Sequence, residues 1–334
     1  MTMIETANSR PRAWFIPRSP VWYTTIGVFV LSWIIAPGSV SSSGINAMLP
    51  FAAILAIAAI GQTMVIMLRG IDLSVPGMIT VAALVSSQYA AQNDNNVVLA
   101  LVVVAAIAIA VGLVNGFVIT YFKVTPLVVT LAMNAALMGF ALFYTGGTPS
   151  RAPDAVASFS LAKTLGISNT VWMALLLVVV VALAVNRTTW GRQMEATGTN
   201  ERAAAAAGVP VTGIKMSGYV GAALCYAGAG ILLAGYVGTP NTNAGNPFLL
   251  PAIAAVVVGG TSLAGGKGFI VGTALGALFL SQLDQLVLSM GAPSSTQLII
   301  QAVVVAVAVA SQSFDVRNAL TRLRKKPASV PVAT

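Results

Sequence analysis

Apolar runs of roughly membrane-crossing length alternate along the chain with short stretches of charge, proline, glycine and polar residues. A spanning helix needs about 20 predominantly apolar residues. On that basis the pattern predicts helices at 21–36, 46–68, 75–91, 97–122, 126–144, 170–186, 216–238, 248–260, 269–290 and 296–312. The eighth is the shortest and contains Pro251, which marks a broken or tilted helix, or an earlier start. Two hydrophilic stretches interrupt the array: 145–169, long enough to hold a short helix, and 187–215, the longer of the loops facing the other side. Five apolar runs precede the first stretch and five follow it. An odd number per half puts the halves in opposite orientation, as in inverted repeats. The expected fold class is therefore all-α: a polytopic integral membrane protein of about ten transmembrane helices, compatible with a 5+5 inverted repeat. Residues 1–334 form one domain, with tails at 1–20 and 313–334.

Composition narrows the chemistry. The chain has 334 residues, 57% hydrophobic and 7% charged, with no histidine and one cysteine, Cys225. A soluble domain carries about a quarter charged residues, so lipid is the solvent for most of this chain. The net charge of +9 does not signal nucleic-acid binding, because the basic residues fall between apolar runs rather than on one face. Without histidine and with one cysteine, intrachain disulfides, His-based triads and Cys/His zinc sites are excluded, and no metal site is expected.

Charge placement predicts orientation, since cytoplasmic loops are enriched in Lys and Arg. With ten spans and an inner N-terminus, Arg10, Arg12, Arg18, Arg69, Lys123, Arg187, Arg192, Arg202, Lys215, Lys267, Arg317, Arg322, Arg324, Lys325 and Lys326 fall inside. Only Arg151 and Lys163 fall outside, so both termini are expected in the cytoplasm. The basic N-terminus and the apolar run from Val21 have the outline of a signal peptide, but no small-x-small site closes the run, which favours a retained first span.

Within 187–215, Thr199 or Asn200 can cap a short helix, Glu201 suits its first turn, and Gly208 with Pro210 stops it. So short a helix is marginal alone in water. Its alanine-rich face packs either on its own membrane domain or on a cytoplasmic partner. GGTSLAGGKG, 259–268, is not a phosphate loop, because Thr261 and Gly268 stand where that motif needs Gly and Ser or Thr. Its glycines Gly259, Gly260, Gly265 and Gly266 suit a tight turn. Small-xxx-small spacing at Gly268, Gly272 and Gly276, and at Gly112 and Gly116, reads as helix packing. Intramembrane polar residues are functional candidates by default. Asp284, flanked by Gln282 and Gln285, is the clearest, and Gln62, Asn115 and Asn134 suit a helix–helix hydrogen bond as well as a substrate contact. Asp72 or Ser74 can cap a helix beginning near Pro76.

GQTMVIMLRGIDLSVPG (61–77), TTWGRQMEATGTNERAAAAAGV (188–209) and AIAAVVVGGTSLAGGKGFIVGTALGA (252–277) together resemble the membrane permease subunit of ATP-binding-cassette sugar importers of the ribose/xylose/galactoside type. The resemblance runs from about residue 46 to 312. It implies a dimeric permease in the bacterial inner membrane, with a second copy or a homologue as the other half. It also implies a periplasmic sugar-binding protein and a cytoplasmic ATPase that holds ATP and Mg, leaving this chain non-catalytic and without a cofactor. Gly191, Arg192, Glu195, Asn200, Ala204 and Gly208 match the family's ATPase-coupling loop. Gly70, Asp72, Ser74, Gly259, Gly260, Gly265 and Gly266 match its motif turns. Gln62, Asn115, Asn134, Gln282, Asp284 and Gln285 form the expected substrate-pathway set.

The chain departs from the family at Arg69, where a small residue is common, at Pro76, where Gly is usual, at 248–251, which lacks a carboxylate, and at Asp284, where Asn is common. These departures loosen the expectation of a ribose-like substrate. The competing expectations are a branched-chain amino-acid permease of the same superfamily and an ion-coupled secondary transporter using Asp284. An intramembrane enzyme is disfavoured, since the eight acidic residues and one cysteine form no paired arrangement in sequence.

Overall fold

The computed structural model describes residues 21–90 and 96–313, and the expected tail at 1–20 and all but the first residue of that at 313–334 lie outside them. Helix α1 (Val21–Ile35) and a 3₁₀ turn (Pro37–Val40) lead into α2 (Ser42–Met67), whose first turn is capped by the Ser41 hydroxyl. An extended segment then leads to α3 (Val75–Ala90), followed by α4 (Val97–Tyr121) and α5 (Pro126–Thr145). The 145–169 stretch holds a short helix, α6 (Asp154–Leu161), and a small hairpin of β1 (Lys163–Thr164) with β2 (Ile167–Ser168). Beyond it come α7 (Asn169–Arg187), α8 (Thr189–Thr199), α9 (Glu201–Ala206) and α10 (Val211–Val237). The chain continues through a 3₁₀ turn (Asn246–Phe248) to α11 (Leu249–Val258), α12 (Ile270–Ser289) and α13 (Ser294–Ser313).

Every apolar run expected to span becomes a helix with bounds shifted by a few residues, but they are not equivalent. Among the described residues, α2, α4, α5, α7, α10 and α12 are long and apolar enough to cross a membrane. The others fall short for local reasons. Helix α3 has 16 residues because the chain between Met67 and Val75 is not helical. Helix α11 has 10 because the glycine turn ends it, and α1 has 15.

Helix α2 is the axis of the bundle. It is buried around its whole circumference from Ala52 to Met67, as a helix apolar on all sides must be. Helix α10 lies against α2, α3 and α4 and buries Tyr219 and Tyr226 between them. Close approach needs small residues, because apolar burial drives no helix association in lipid and backbone packing must do so instead. A Cβ on Gly112 would lie 2.5 Å from Val220 Cα, and one on Gly116 would lie 2.7 Å from Met216 Cα, so the α4 glycines seat α10. On α12, Gly272 and Gly276 abut the backbone of Gly259, just past the end of α11, and of Ala255 on α11. Helices α5 and α7, by contrast, turn broad apolar faces outward.

Candidate coupling junction and buried polar clusters

The 187–215 loop contains two helices. Thr188 is extended and its hydroxyl caps α8 by accepting from Gly191 N at 3.3 Å. Gly191, Met194, Thr197 and Gly198 form the buried face of α8. That face has helical spacing, which was the available signal, but α8 is too polar for an apolar run to reveal it. Asn200 then breaks the helix with extended backbone and caps α9, accepting from Ala203 N at 3.0 Å. Gly208 closes α9 with φ +81°, a conformation that glycine alone adopts at little cost. Ala204 is buried against the bundle, whereas Ala203, Ala205, Ala206 and Ala207 are exposed together.

Three segments distant in sequence meet beside this helix pair. Gly266 N, in the glycine turn, donates to Met67 O at the end of α2 at 2.9 Å. The Gly198 backbone, at the end of α8, fits so closely against Met67 O and Gly266 N that no Cβ can be added without overlap. Arg69 completes the contact, its Nη2 donating to Thr199 O at 2.5 Å. Arg69 itself has φ +63°, which is uncommon outside glycine. Glu195 faces Lys267 at 3.8 Å, and Glu201 pairs with Lys215 of α10 at 2.6 Å. Arg192 is exposed and Gly191 packs on Val185 O of α7. The coupling-loop residues are therefore tied to α2, α10 and the glycine turn. Arg69, Gly198, Thr199 and Lys215 belong to this junction although the sequence marked none of them as a site residue.

The extended segment after α2 is buried, so its polar groups need partners. Asp72 is 1% exposed, and its Oδ1 accepts from Ser74 N at 2.8 Å and from Ser74 Oγ at 2.5 Å. Asn115 Nδ2 reaches Ser74 Oγ at 3.4 Å, and Leu73 N donates to Thr130 Oγ1 at 2.9 Å. Gln62, with its amide turned to suit its neighbours, donates to Asp72 O at 3.2 Å and to Tyr226 Oη at 3.0 Å, and accepts from Asp72 N at 3.1 Å. Asn134 Oδ1 accepts from Gly77 N at 2.8 Å in the first turn of α3. Gly70 is pressed against Tyr219 Oη. Gln62, Asn115 and Asn134 thus converge on one buried connection, Gln62 and Asn134 bonding its backbone and Asn115 the Ser74 hydroxyl.

Gln282, Asp284 and Gln285 form a separate group farther along α12. Thr273 of α12 is level with Thr63, one residue past Gln62, through a 2.9 Å hydroxyl contact. Gln282 lies nine residues beyond Thr273, about 13 Å along the axis. Both oxygens of Asp284 accept from Gln301 Nε2, at 2.8 and 2.9 Å. Gln282 is fully buried with neither amide atom bonded, and Gln285 is half-buried.

A helical bundle with apolar outer faces, buried polar groups at two depths and a helix pair at one end is a polytopic membrane permease. The family described as "Branched-chain amino acid transport system / permease component" matches residues 44–309, and the chain belongs to it. It is 32% identical to the ribose import permease protein of Escherichia coli (strain K12) over 303 residues, covering 89% of this chain and 94% of that one. It is 35% identical to the ribose import permease protein of Bacillus subtilis (strain 168) over 291 residues, covering 85% and 90%. A fructose import permease protein of Bifidobacterium longum (strain NCC 2705) is 31% identical over 305 residues, covering 89% and 85%. No solved structure matches the chain.

Proposed function

We propose that this chain is the membrane-spanning subunit of an ATP-binding-cassette importer that carries a sugar or polyol of the pentose or hexose class across the bacterial inner membrane. The similarity to ribose and fructose import permeases over most of the chain carries the reading. A periplasmic binding protein delivers the substrate, and a second copy or a homologue completes the pathway. ATP and Mg are held by a separate cytoplasmic ATPase that docks on the exposed alanine face of α9. This chain's contribution is mechanical: α9 is linked through Asn200, Thr199 and Arg69 to the end of α2, and hence to the buried 68–77 connection. Displacement of α9 moves that connection, and Gln62, Asn115, Asn134, Gln282, Asp284 and Gln285 supply the amide and carboxylate groups along the path.

The experiment is uptake of labelled pentoses and hexoses in cells carrying the complete transporter, with and without ATP depletion and with branched-chain amino acids as competitors. Sugar uptake that follows ATP supports the proposal. Competition by leucine, or dependence on an ion gradient alone, would replace it with one of the rival readings. Gly208→Val forces a β-branched residue into left-handed backbone and should uncouple transport from ATP hydrolysis while the protein remains in the membrane. Normal ATP-driven uptake in that variant removes α9 from the coupling path.

The proposed orientation has ten crossings in two inverted halves of five, with both termini in the cytoplasm. It is supported by the distribution of basic residues. A cysteine at exposed Thr199 in a Cys225→Ser background is expected to react with a membrane-impermeant maleimide only after the cytoplasmic face is opened. Labelling of intact spheroplasts would invert the topology.

A further inference from the structure

A cavity of about 660 Å³ runs between α7 on one side and α4 and α10 on the other, floored by α2 and flanked by Ala155, Val156 and Phe159 of α6. Its wall extends along α7 from Met173 through Leu177 and Val181 to Ala184, 11 residues or about 16 Å, and ends at Trp190 of α8. The lining is almost wholly apolar. On α10 it includes Gly221 and Gly228, and at Gly228 no helix approaches: a Cβ there would meet nothing within 4 Å. Gly228 therefore opens a space rather than closing a packing contact, whereas Gly221 sits against Met64 of α2, 3.3 Å from where its Cβ would be. At the α8 end the chemistry changes. Arg187 and Arg192 are both exposed there, Arg192 Nη1 lying 3.5 Å from Arg187 O, and half-buried Trp190 donates to Ser217 Oγ at 2.8 Å. A long apolar slot ending at Trp190, with exposed Arg187 three residues past the lining Ala184 and exposed Arg192 two residues past Trp190, matches an acyl chain ending in an anionic headgroup at a membrane interface.

We propose that this slot is a binding site for one anionic phospholipid, with an acyl chain between α7 and α10 and the phosphate at Arg187 and Arg192. On the orientation given above, the lipid belongs to the cytoplasmic leaflet. Because Trp190 and Arg192 lie at the start of α8, the bound lipid braces the root of the α8–α9 pair.

The test is native mass spectrometry of the purified full-length chain after exchange into equal parts phosphatidylglycerol and phosphatidylcholine. The wild type is expected to retain one phosphatidylglycerol with a preference of roughly 25-fold, about fivefold for each arginine. Gly228→Leu fills the slot and should lose the retained lipid, whereas Gly27→Leu, a control on α1 whose Cβ also meets nothing within 4 Å, should keep it. Arg187→Gln with Arg192→Gln should keep a lipid but lose the preference for phosphatidylglycerol. Equal thermal unfolding of the variants shows that they are folded. Unchanged lipid retention in Gly228→Leu, no headgroup preference in the wild type, or release of a second copy of the chain instead of a lipid would each overturn the proposal.

Discussion

Replacing Gly198 with alanine is expected to cut ATP-driven uptake by about fivefold or more, the largest loss expected from any single methyl group in this protein. The reason is geometric. Alanine already places a Cβ in the space occupied by the Met67 carbonyl, which is itself engaged by Gly266 N. A flexible side chain could yield, but two backbones cannot, so the end of α8 must separate from the end of α2. Overpacking of this kind costs roughly 1–3 kcal/mol, or about five- to 150-fold in the population of the assembled junction. The Arg69 Nη2 to Thr199 O bond lies one residue away and would be lost with it. The check is uptake together with ATPase rate in reconstituted transporter, beside thermal unfolding of the variant. Uptake should fall while the helical bundle still unfolds within a few degrees of the wild type. Gly213→Ala, on α10 with nothing near its Cβ, is the matched control. Unimpaired uptake in Gly198→Ala would mean that the junction moves freely and transmits nothing.

The sequence disclosed the helices far better than it disclosed this junction. Apolar runs bounded by charge and proline locate the membrane helices because lipid admits few other backbone arrangements. Both ends of α9 were also legible, since Asn200 and Gly208 are local signals for a cap and a stop. Helix α8 was missed because it is short and polar and its buried face consists of Gly191, Met194, Thr197 and Gly198, only one of them a large apolar residue. The meeting of Met67, Gly198 and Gly266 is tertiary, joining residues at least 68 positions apart. No periodicity encodes it. The same limit applies to the polar residues. Gln62, Asn115 and Asn134 each stand alone in an apolar run, and only packing reveals that all three hold the connection between α2 and α3. Arg69 signalled itself only as an unusual residue before Gly70, whereas its role depends on a left-handed backbone and a distant carbonyl.

Asp72→Ala tests whether that connection is held by geometry or by charge. Its carboxylate oxygen is the acceptor for both Ser74 N and Ser74 Oγ, in a segment excluded from solvent. Alanine leaves two buried donors without this acceptor, at about 1–3 kcal/mol each, so a loss of roughly 2–5 kcal/mol is expected. The effect should appear as a large drop in the thermal unfolding midpoint and as loss of uptake, since Leu73, Gly77 and the start of α3 depend on the same segment. Asp72→Asn keeps an Oδ1 acceptor in place and should restore most of the stability, leaving a deficit of about 1 kcal/mol, the difference between a charged and a neutral acceptor. Among the described residues, no Lys or Arg pairs with Asp72, so no charge partner is stranded by the amide. A double variant with Ser74→Ala should cost much less than the sum of the single changes, because the alanine removes one of the orphaned donors. If Asp72→Asn instead falls as far as Asp72→Ala in uptake while unfolding like the wild type, the negative charge itself acts in transport. The segment would then be part of the path rather than its hinge.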